Sequence, residues 1–237
     1  MKLACASGSL HRDIESGELT QLEFLDLCAR EACDGVVLDV RHFPRTDDDY
    51  LAQVKKMATD RGLSIAALSD RAFFTASAEH VADVLGRALA LGAPIVAAPL
   101  ARETDSSWTE QLARLGVATS LAKARNVTLA LRNAPGTFAA TTHDCKRVAK
   151  EADSAWLRFG PEPQRFDVAS DPRTLQPNTV LLWSDAGIES ARSIADTLAV
   201  FSEFRGHLAL DESSGAATPA QLAAAIGRWR TAILNRR

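Results

Sequence analysis

The feature that most constrains the fold of this chain is a regular alternation of short apolar segments with longer amphipathic ones. Eight such units follow one another at a spacing of about 30 residues. The alternation predicts a parallel sheet, because parallel strands need a long crossover between them. Eight units predict an α/β fold, a single (β/α)8 barrel of the TIM type that takes in residues 1–237 as one domain. An open Rossmann-like sheet is the alternative, and the lack of a Gly-x-Gly-x-x-Gly string after any predicted strand counts against it.

Turn and capping residues set the bounds of these units. The segment 35–40 is nearly continuous in apolar residues, which is typical of a strand covered on both faces. The predicted strands are residues 3–7, 35–40, 64–69, 94–98, 128–132, 156–160, 179–184 and 207–211. The predicted N-caps of helices are Thr20, Ser77, Thr142 and Thr218. Helices are predicted over residues 108–125 and 189–204, whereas the proline-rich segment 161–166 predicts no regular helix.

Composition and charge exclude several functional classes. The net charge is -3, and no run of basic residues offers a surface for nucleic acid. The chain lacks an 18-residue apolar run, so we expect no transmembrane helix and no membrane partner. The N-terminal residues lack the apolar run of a signal peptide, which favours a cytoplasmic location. The four cysteines form no Cys-x-x-Cys motif and are expected to be reduced thiols, while the oligomeric state stays open.

Polar residues follow most of the predicted strands. In a β/α barrel the active site forms at the C-terminal ends of the strands, so these residues are the candidates for chemistry. The predicted catalytic residues are Asp39, His42, Asp185 and Asp211. The predicted ligand-binding residues are Arg71, Arg132, Asn133, Glu162 and Glu212. Together these residues form a rim that is polar and mixed in charge, which favours a polar small-molecule ligand.

Two of these residues allow a second interpretation. His42 is placed either to carry a proton near neutral pH or to stack on Phe43 as a loop histidine bonded to Asp39. Arg71 is suited to bind a carboxylate or phosphate, but we slightly favour an arginine at the rim whose stem lies along apolar surface. His80 falls in a predicted helix, and we expect it at the surface.

Several strings of the chain together resemble the xylose-isomerase-like barrel superfamily, a group that includes sugar phosphate isomerases and epimerases and endonuclease IV. The strings that carry the resemblance are residues 34–39, 41–44, 46–48, 62–68, 129–133 and 154–158. The resemblance covers most of the chain. It implies a barrel that binds a divalent metal such as Mn or Mg at its mouth and moves a proton next to a carbonyl group.

The metal ligands that the resemblance implies are largely missing from this sequence. The glutamate that ends the fifth strand in the family corresponds to Arg132, and the histidine on the seventh strand corresponds to about Leu182. The aspartate after the sixth strand falls in the stretch 160–162, and the glutamate that ends the eighth strand matches Asp211 or Glu212. Arginine stays positively charged and offers no lone pair to a metal. We therefore expect no metal cofactor.

Two functions remain open. In the first, which we favour, the barrel has lost the metal and binds a sugar or polar metabolite, or serves as a partner domain. Arg132 then pairs with Glu162, Asp185 or Asp211 in place of the inorganic cation. In the second, an isomerase or epimerase works with the four predicted catalytic residues. A nuclease like endonuclease IV needs several zinc ions held by many histidines, and five scattered histidines argue against it.

Overall fold

A computed structural model describes residues 1–187, 191–212 and 214–236. The chain divides into two compact units. Unit 1 consists of residues 1–66 together with 183–237, and unit 2 consists of residues 67–182. We describe each unit by itself. Within the described residues, no helix is both long enough and apolar enough to cross a membrane.

Eight parallel strands alternate with helices in the described chain, which is the (β/α)8 fold expected from the sequence. The strands are β1 (Lys2–Ala6), β2 (Gly35–Asp39), β3 (Ser64–Ser69), β4 (Ile95–Pro99), β5 (Thr128–Arg132), β6 (Leu157–Phe159), β7 (Leu181–Asp185) and β8 (His207–Asp211). Hydrogen-bonded neighbours follow the order β6-β5-β4-β3-β2-β1-β8-β7. The strands are almost wholly buried, as expected for a parallel sheet covered on both faces.

The described helices are α1 (His11–Glu15), α2 (Gln21–Arg30), α3 (Asp48–Asp60), α4 (Ala78–Leu91), α5 (Trp108–Arg125), α6 (Thr142–Ala152), α7 (Ala191–Val200) and α8 (Pro219–Leu234). Six of the described helices, α2 to α6 and α8, begin after a residue whose side chain caps the first turn. Thr20 and Thr218 each form a reciprocal capping box with the third helical residue. The cap of α6 is Thr141 rather than Thr142, because Thr141 accepts the hydrogen bond from the Asp144 N–H.

Unit 1 is built around β1, which pairs in parallel with β2 on one side and with β8 on the other. The close approach at the start of β2 depends on Gly35, where a Cβ atom would lie 2.5 Å from Ser64 Oγ and 2.7 Å from Ser64 O. His207, at the start of β8, lies at the same end and bonds Ser64 Oγ over 3.0 Å. His207 thus has a structural contact at the end of the sheet where the strands start.

Unit 2 contains β4, which pairs with β5, and β5 pairs in turn with β6. A single parallel bridge joins Phe159 of β6 to Thr179, just before β7 begins. The connection between them contains two short 3-10 helices, Pro163–Arg165 and Pro172–Asn178, in place of an α-helix. The prolines account for this, as the sequence indicated.

Element bounds differ from the predicted ones by one or two residues in several places. The seventh strand begins at Leu181 and not at Thr179, since Thr179 makes only the bridge to β6. The start of the predicted helix 189–204 lies outside the described residues, and the described part, α7, ends at Val200. The fifth and eighth strands and the helix α5 have the predicted bounds.

Candidate functional site

In unit 1, the predicted residue Asp39 is held by an arginine two positions later. The Arg41 guanidinium donates from Nε to Asp39 Oδ1 at 2.9 Å and from Nη2 to Asp39 Oδ2 at 2.7 Å. The carboxylate is 4% exposed. Burial alone would raise the pKa of Asp39, but the hydrogen bonds and charge of Arg41 outweigh it and hold the pKa below its usual range. Asp39 is therefore an anion at neutral pH.

His42 lies next to this pair and bonds two groups that the sequence did not single out as its partners. Its Nδ1 lies 2.8 Å from Ser7 Oγ, and its Nε2 lies 2.9 Å from His11 Nδ1. The two imidazole rings are stacked, with centroids 5.1 Å apart. The stacking partner of His42 is thus His11 and not Phe43. Burial lowers the pKa of His42 to about 4, against the opposing effect of the Asp39 charge, so the ring is neutral at pH 7.

Two predicted carboxylates lie on either side of a glycine that follows β1. A Cβ atom at Gly8 would lie 3.1 Å from Asp211 Oδ1 and 4.0 Å from Asp39 Oδ2. Asp211 is 4% exposed. The backbone of Gly8 thus lies close to carboxylates that come from β8 and β2. Asp185 ends β7, where its Oδ1 accepts from the Gly187 N–H at 2.7 Å, and the N–H of Ala186 donates to Asp211 O at 3.3 Å.

Glu212 follows β8 and shapes the loop before α8. It accepts hydrogen bonds from the Ser214 hydroxyl at 2.6 Å and from the Ala216 N–H at 3.0 Å. Burial would raise the pKa of Glu212, but these hydrogen bonds outweigh it and keep the pKa below its usual range. Glu212 also borders a pocket of about 380 Å³. Other residues lining that pocket are Gly187, Gln221 and Arg228.

In unit 2, Arg132 ends β5 and forms an ion pair with Glu162. Its Nη2 donates to Glu162 Oε2 at 2.6 Å, and Arg165 Nε donates to Glu162 Oε1 at 2.8 Å. Both carboxylate oxygens are thus held by guanidinium groups, and the Glu162 side chain is 2% exposed. Asn133 fixes the backbone of the same residue, donating from Nδ2 to Glu162 O and accepting at Oδ1 from Glu162 N–H. The sequence left three possible partners for Arg132, and the structure pairs it with Glu162.

A second polar pair lies at the end of β3. Asp70 Oδ2 is 2.6 Å from His80 Nε2, and Asp70 Oδ1 accepts from the Ala72 N–H. The expectation that His80 is a plain surface residue was incomplete, because only 38% of its side chain is exposed and its ring bonds a buried carboxylate. Arg71, by contrast, is exposed beside the buried Phe73.

The structure therefore brings the predicted residues into separate groups, each within one unit. Asp39, His42 and Asp211 meet near Gly8, while Arg132, Asn133 and Glu162 meet at the ends of β5 and β6. Further residues take part in these groups or form the separate pair at the end of β3: Ser7, Arg41, Asp70, His80 and Arg165. All of them except His80 lie at or after the end of a predicted strand, so their positions were a usable signal. Their partners depend on side-chain directions that a one-dimensional pattern does not contain.

The donor set does not fit a divalent metal of the kind that the resemblance implies. The position at the end of β5 carries a guanidinium, and the position on β7 carries the fully buried, apolar Leu182. Both oxygens of Glu162 already accept from arginines. Across the part of the chain that the structure describes, no three His, Cys, Asp or Glu residues are arranged to hold a metal ion. We therefore derive no chemical step through a metal.

Taken together, the fold and these strand-end groups define a β/α barrel of the class that carries polar residues at the C-terminal ends of its strands. The model of the xylose isomerase-like TIM barrel family matches residues 25–163, and the chain belongs to that family. No curated protein matches the sequence.

Solved structures of the same fold cover nearly the whole chain. D-psicose 3-epimerase from Clostridium cellulolyticum H10 is 12% identical, with a TM-score of 0.77 over 100% of this chain and 98% of the other. The probable 3-DHS dehydratase AsbF from Bacillus anthracis is 14% identical, with a TM-score of 0.75 over 96% and 98%. An L-ribulose 3-epimerase is 16% identical, with a TM-score of 0.74 over 99% and 96%. At these identities the likeness establishes the fold alone.

Proposed function

We propose that this barrel binds a carbohydrate or a related polar metabolite at the C-terminal ends of its strands without a divalent metal. The observation that carries the proposal is the ion pair between Arg132 and Glu162. An organic cation occupies the strand end where the resemblance places a metal-binding carboxylate. A divalent cation beside Arg132 would be repelled by the guanidinium, because the side chain stays protonated and is only 14% exposed.

The strand ends of unit 1 support a polyhydroxylated ligand. Carboxylates such as Asp39 and Asp211 are strong acceptors for hydroxyl groups, and they lie together beside Gly8. The pocket next to Glu212 has a volume of about 380 Å³, which is within the size range of small-molecule sites. The relatives whose structures are named for sugars, such as D-psicose 3-epimerase and L-ribulose 3-epimerase, agree with this ligand class.

A second function, an isomerase or epimerase that moves a proton next to a carbonyl group, is favoured by one arrangement. Asp39 and Asp211 lie on either side of Gly8, and a neutral imidazole, His42, is close to Asp39. Two carboxylates and a neutral histidine are groups that can exchange a proton with a substrate. Asp185 belongs to the same hypothesis, although its carboxylate is engaged in its own turn.

Metal analysis and sugar binding test the proposal together. The protein is dialysed against Mn²⁺, Mg²⁺, Co²⁺ and Zn²⁺ in turn, freed of loose ions and assayed for bound metal. Binding of a panel of ketoses and ketose phosphates is then followed by NMR with and without EDTA. We expect metal contents far below one per chain and sugar binding that EDTA leaves unchanged. Stoichiometric metal, binding that EDTA abolishes, or no binding across the panel would contradict the proposal.

Two variants and one isotope experiment separate the two functions. Arg132→Gln removes the guanidinium, and Arg114→Gln, which breaks only an exposed pair with Glu110, is the matched control. We expect the first variant to weaken sugar binding about tenfold and the control to leave it unchanged, since a charged hydrogen bond contributes about 1.5–3 kcal/mol.

Incubation of each ketose in D2O reports on the second function. Deuterium at the carbon next to the carbonyl, lost in Asp211→Asn, would establish that function instead.

A further inference from the structure

Four side chains of unit 1 form a continuous line from the core to the surface. Ser7 Oγ lies 2.8 Å from His42 Nδ1, and His42 Nε2 lies 2.9 Å from His11 Nδ1. His11 Nε2 in turn lies 3.4 Å from Glu15 Oε2. Exposure rises at every step, since Ser7 and His42 are 0% and 5% exposed, whereas the side chains of His11 and Glu15 are 25% and 73% exposed.

We propose that Ser7, His42 and His11 form a proton relay that connects the buried end of β1 with solvent at Glu15. The relay goes beyond the proposed ligand class, because it is a property of the protein itself and requires no bound sugar. It assigns a role to His11, which bonds His42 through one ring nitrogen and reaches Glu15 with the other.

The distances between these side chains allow two complete proton arrangements along the line. In the first, the Ser7 hydroxyl donates to His42 Nδ1, His42 Nε2–H donates to His11 Nδ1, and His11 Nε2–H faces Glu15. In the second, the direction is reversed. Arg41 Nη1, 3.3 Å from His11 Nε2, then donates to that nitrogen, His11 Nδ1–H donates to His42, and His42 Nδ1–H donates to Ser7 Oγ.

One coordinated shift converts the first arrangement into the second. The Ser7 proton passes to His42 Nδ1, the His42 Nε2 proton passes to His11 Nδ1, and the His11 Nε2 proton leaves to Glu15 or to water. A water molecule at the inner end donates one proton to Ser7 Oγ, and the proton released at the outer end passes on to water, so the Ser7 hydroxyl is restored and the charge of the relay is unchanged. The backbone N–H of Asp39 donates to Ser7 Oγ at 2.9 Å and stabilises the oxygen while its proton moves.

The position of the relay suits proton exchange at the strand ends. Its inner residue, Ser7, bonds the backbone of Asp39, whose carboxylate lies beside Gly8 together with that of Asp211. A neutral imidazole both accepts and donates a proton, which a permanently charged side chain in the same position could not do. The stack of the two rings keeps the central nitrogens aligned.

NMR of the ligand-free protein labelled with ¹⁵N tests the relay directly. We expect a scalar coupling between His11 Nδ1 and His42 Nε2 across their hydrogen bond, and we expect both rings in the same one of the two tautomeric arrangements. We also expect exchange of the His42 ring proton with water to slow at least tenfold in His11→Phe, which keeps an aromatic ring but removes the nitrogens. His143→Phe, on the exposed start of α6, is the control and should leave that exchange unchanged.

Either of two results would overturn the relay. One is the absence of the nitrogen–nitrogen coupling in the unmodified protein, a measurement that depends on no variant and therefore on no variant's folding. The other is His42 exchange that stays as fast in His11→Phe as in the parent protein. Neither result affects the proposed metal-free sugar binding. That proposal is tested separately, by the metal content of the protein and by binding of the ketose panel.

Discussion

The burial of His42 predicts that acid destabilises this protein through one identifiable side chain. The folded pKa is about 4, whereas the usual value is 6.5. Because the folded value is the lower one, the unfolded chain binds more protons between these two pH values. The contribution of His42 to the free energy of unfolding is therefore fully present above pH 6.5. It falls as the pH drops toward 4, and His42 causes no further loss below that pH.

The magnitude follows from the two pKa values. Each pKa unit between the folded and unfolded states is worth about 1.4 kcal/mol, so the full contribution of His42 is about 3 kcal/mol. Between pH 7 and pH 4.5 the same linkage relation gives a loss of about 2 kcal/mol. That is a large share of the 5–15 kcal/mol that is ordinary for a folded domain.

Urea unfolding at pH 7 and pH 4.5 measures this loss in the parent protein and in His42→Gln. The variant keeps a polar side chain beside Ser7 but does not titrate, so its unfolding free energy should fall by about 2 kcal/mol less than that of the parent. Burial also lowers the pKa of His207, but this group and the other titratable groups are present in both proteins. Their contributions therefore cancel in the comparison. His143→Gln, at an exposed position, should behave like the parent. The same acid loss in the parent and in His42→Gln would refute the reasoning.

Two further substitutions test how the strand ends and the strand starts are held. Glu162→Ala leaves two guanidinium groups without their buried carboxylate, and chemical denaturation should show that the free energy of unfolding falls by about 3 kcal/mol. The control Glu110→Ala, which breaks an exposed pair, should lose less than about 1 kcal/mol. Equal losses in the two variants would contradict the argument. Gly35→Ala forces a Cβ atom against Ser64 and should lower stability by about 1–3 kcal/mol in the same assay, whereas Gly86→Ala, in the open within α4, should be neutral or stabilising.

The periodic part of this fold could be predicted from the sequence because each unit repeats the same physical requirement. A strand buried on both faces is apolar nearly throughout, and most helices of this chain begin where a side chain caps the first N–H groups. That is why β5, β8 and α5 have the predicted bounds. The error at Thr141 and Thr142 has a simple cause, since two adjacent threonines are equally good caps and only the hydrogen bond to Asp144 distinguishes them.

The polar residues at the strand ends could be predicted from the sequence, but their pairing could not. Arg132 was identified by its charge at a strand end, and its pairing with Glu162 was one of three possibilities that the sequence left open. His42 shows the limit more clearly. Its partners Ser7 and His11 come from another strand end and from a short helix, and no spacing in the sequence relates them. Such contacts depend on how the strands are aligned and on side-chain rotamers.

The four buried cysteines can report on transient opening of the folded protein. All four thiols are buried, Cys5, Cys28 and Cys33 in unit 1 and Cys145 in unit 2. Burial raises the pKa of the Cys145 thiol to about 12, so the folded state holds it in the unreactive protonated form. A thiol reagent therefore modifies each cysteine only when its surroundings open, and the rate of labelling measures the free energy of that opening. Comparing Cys145 with the other three shows whether the two units open as one cooperative body or separately.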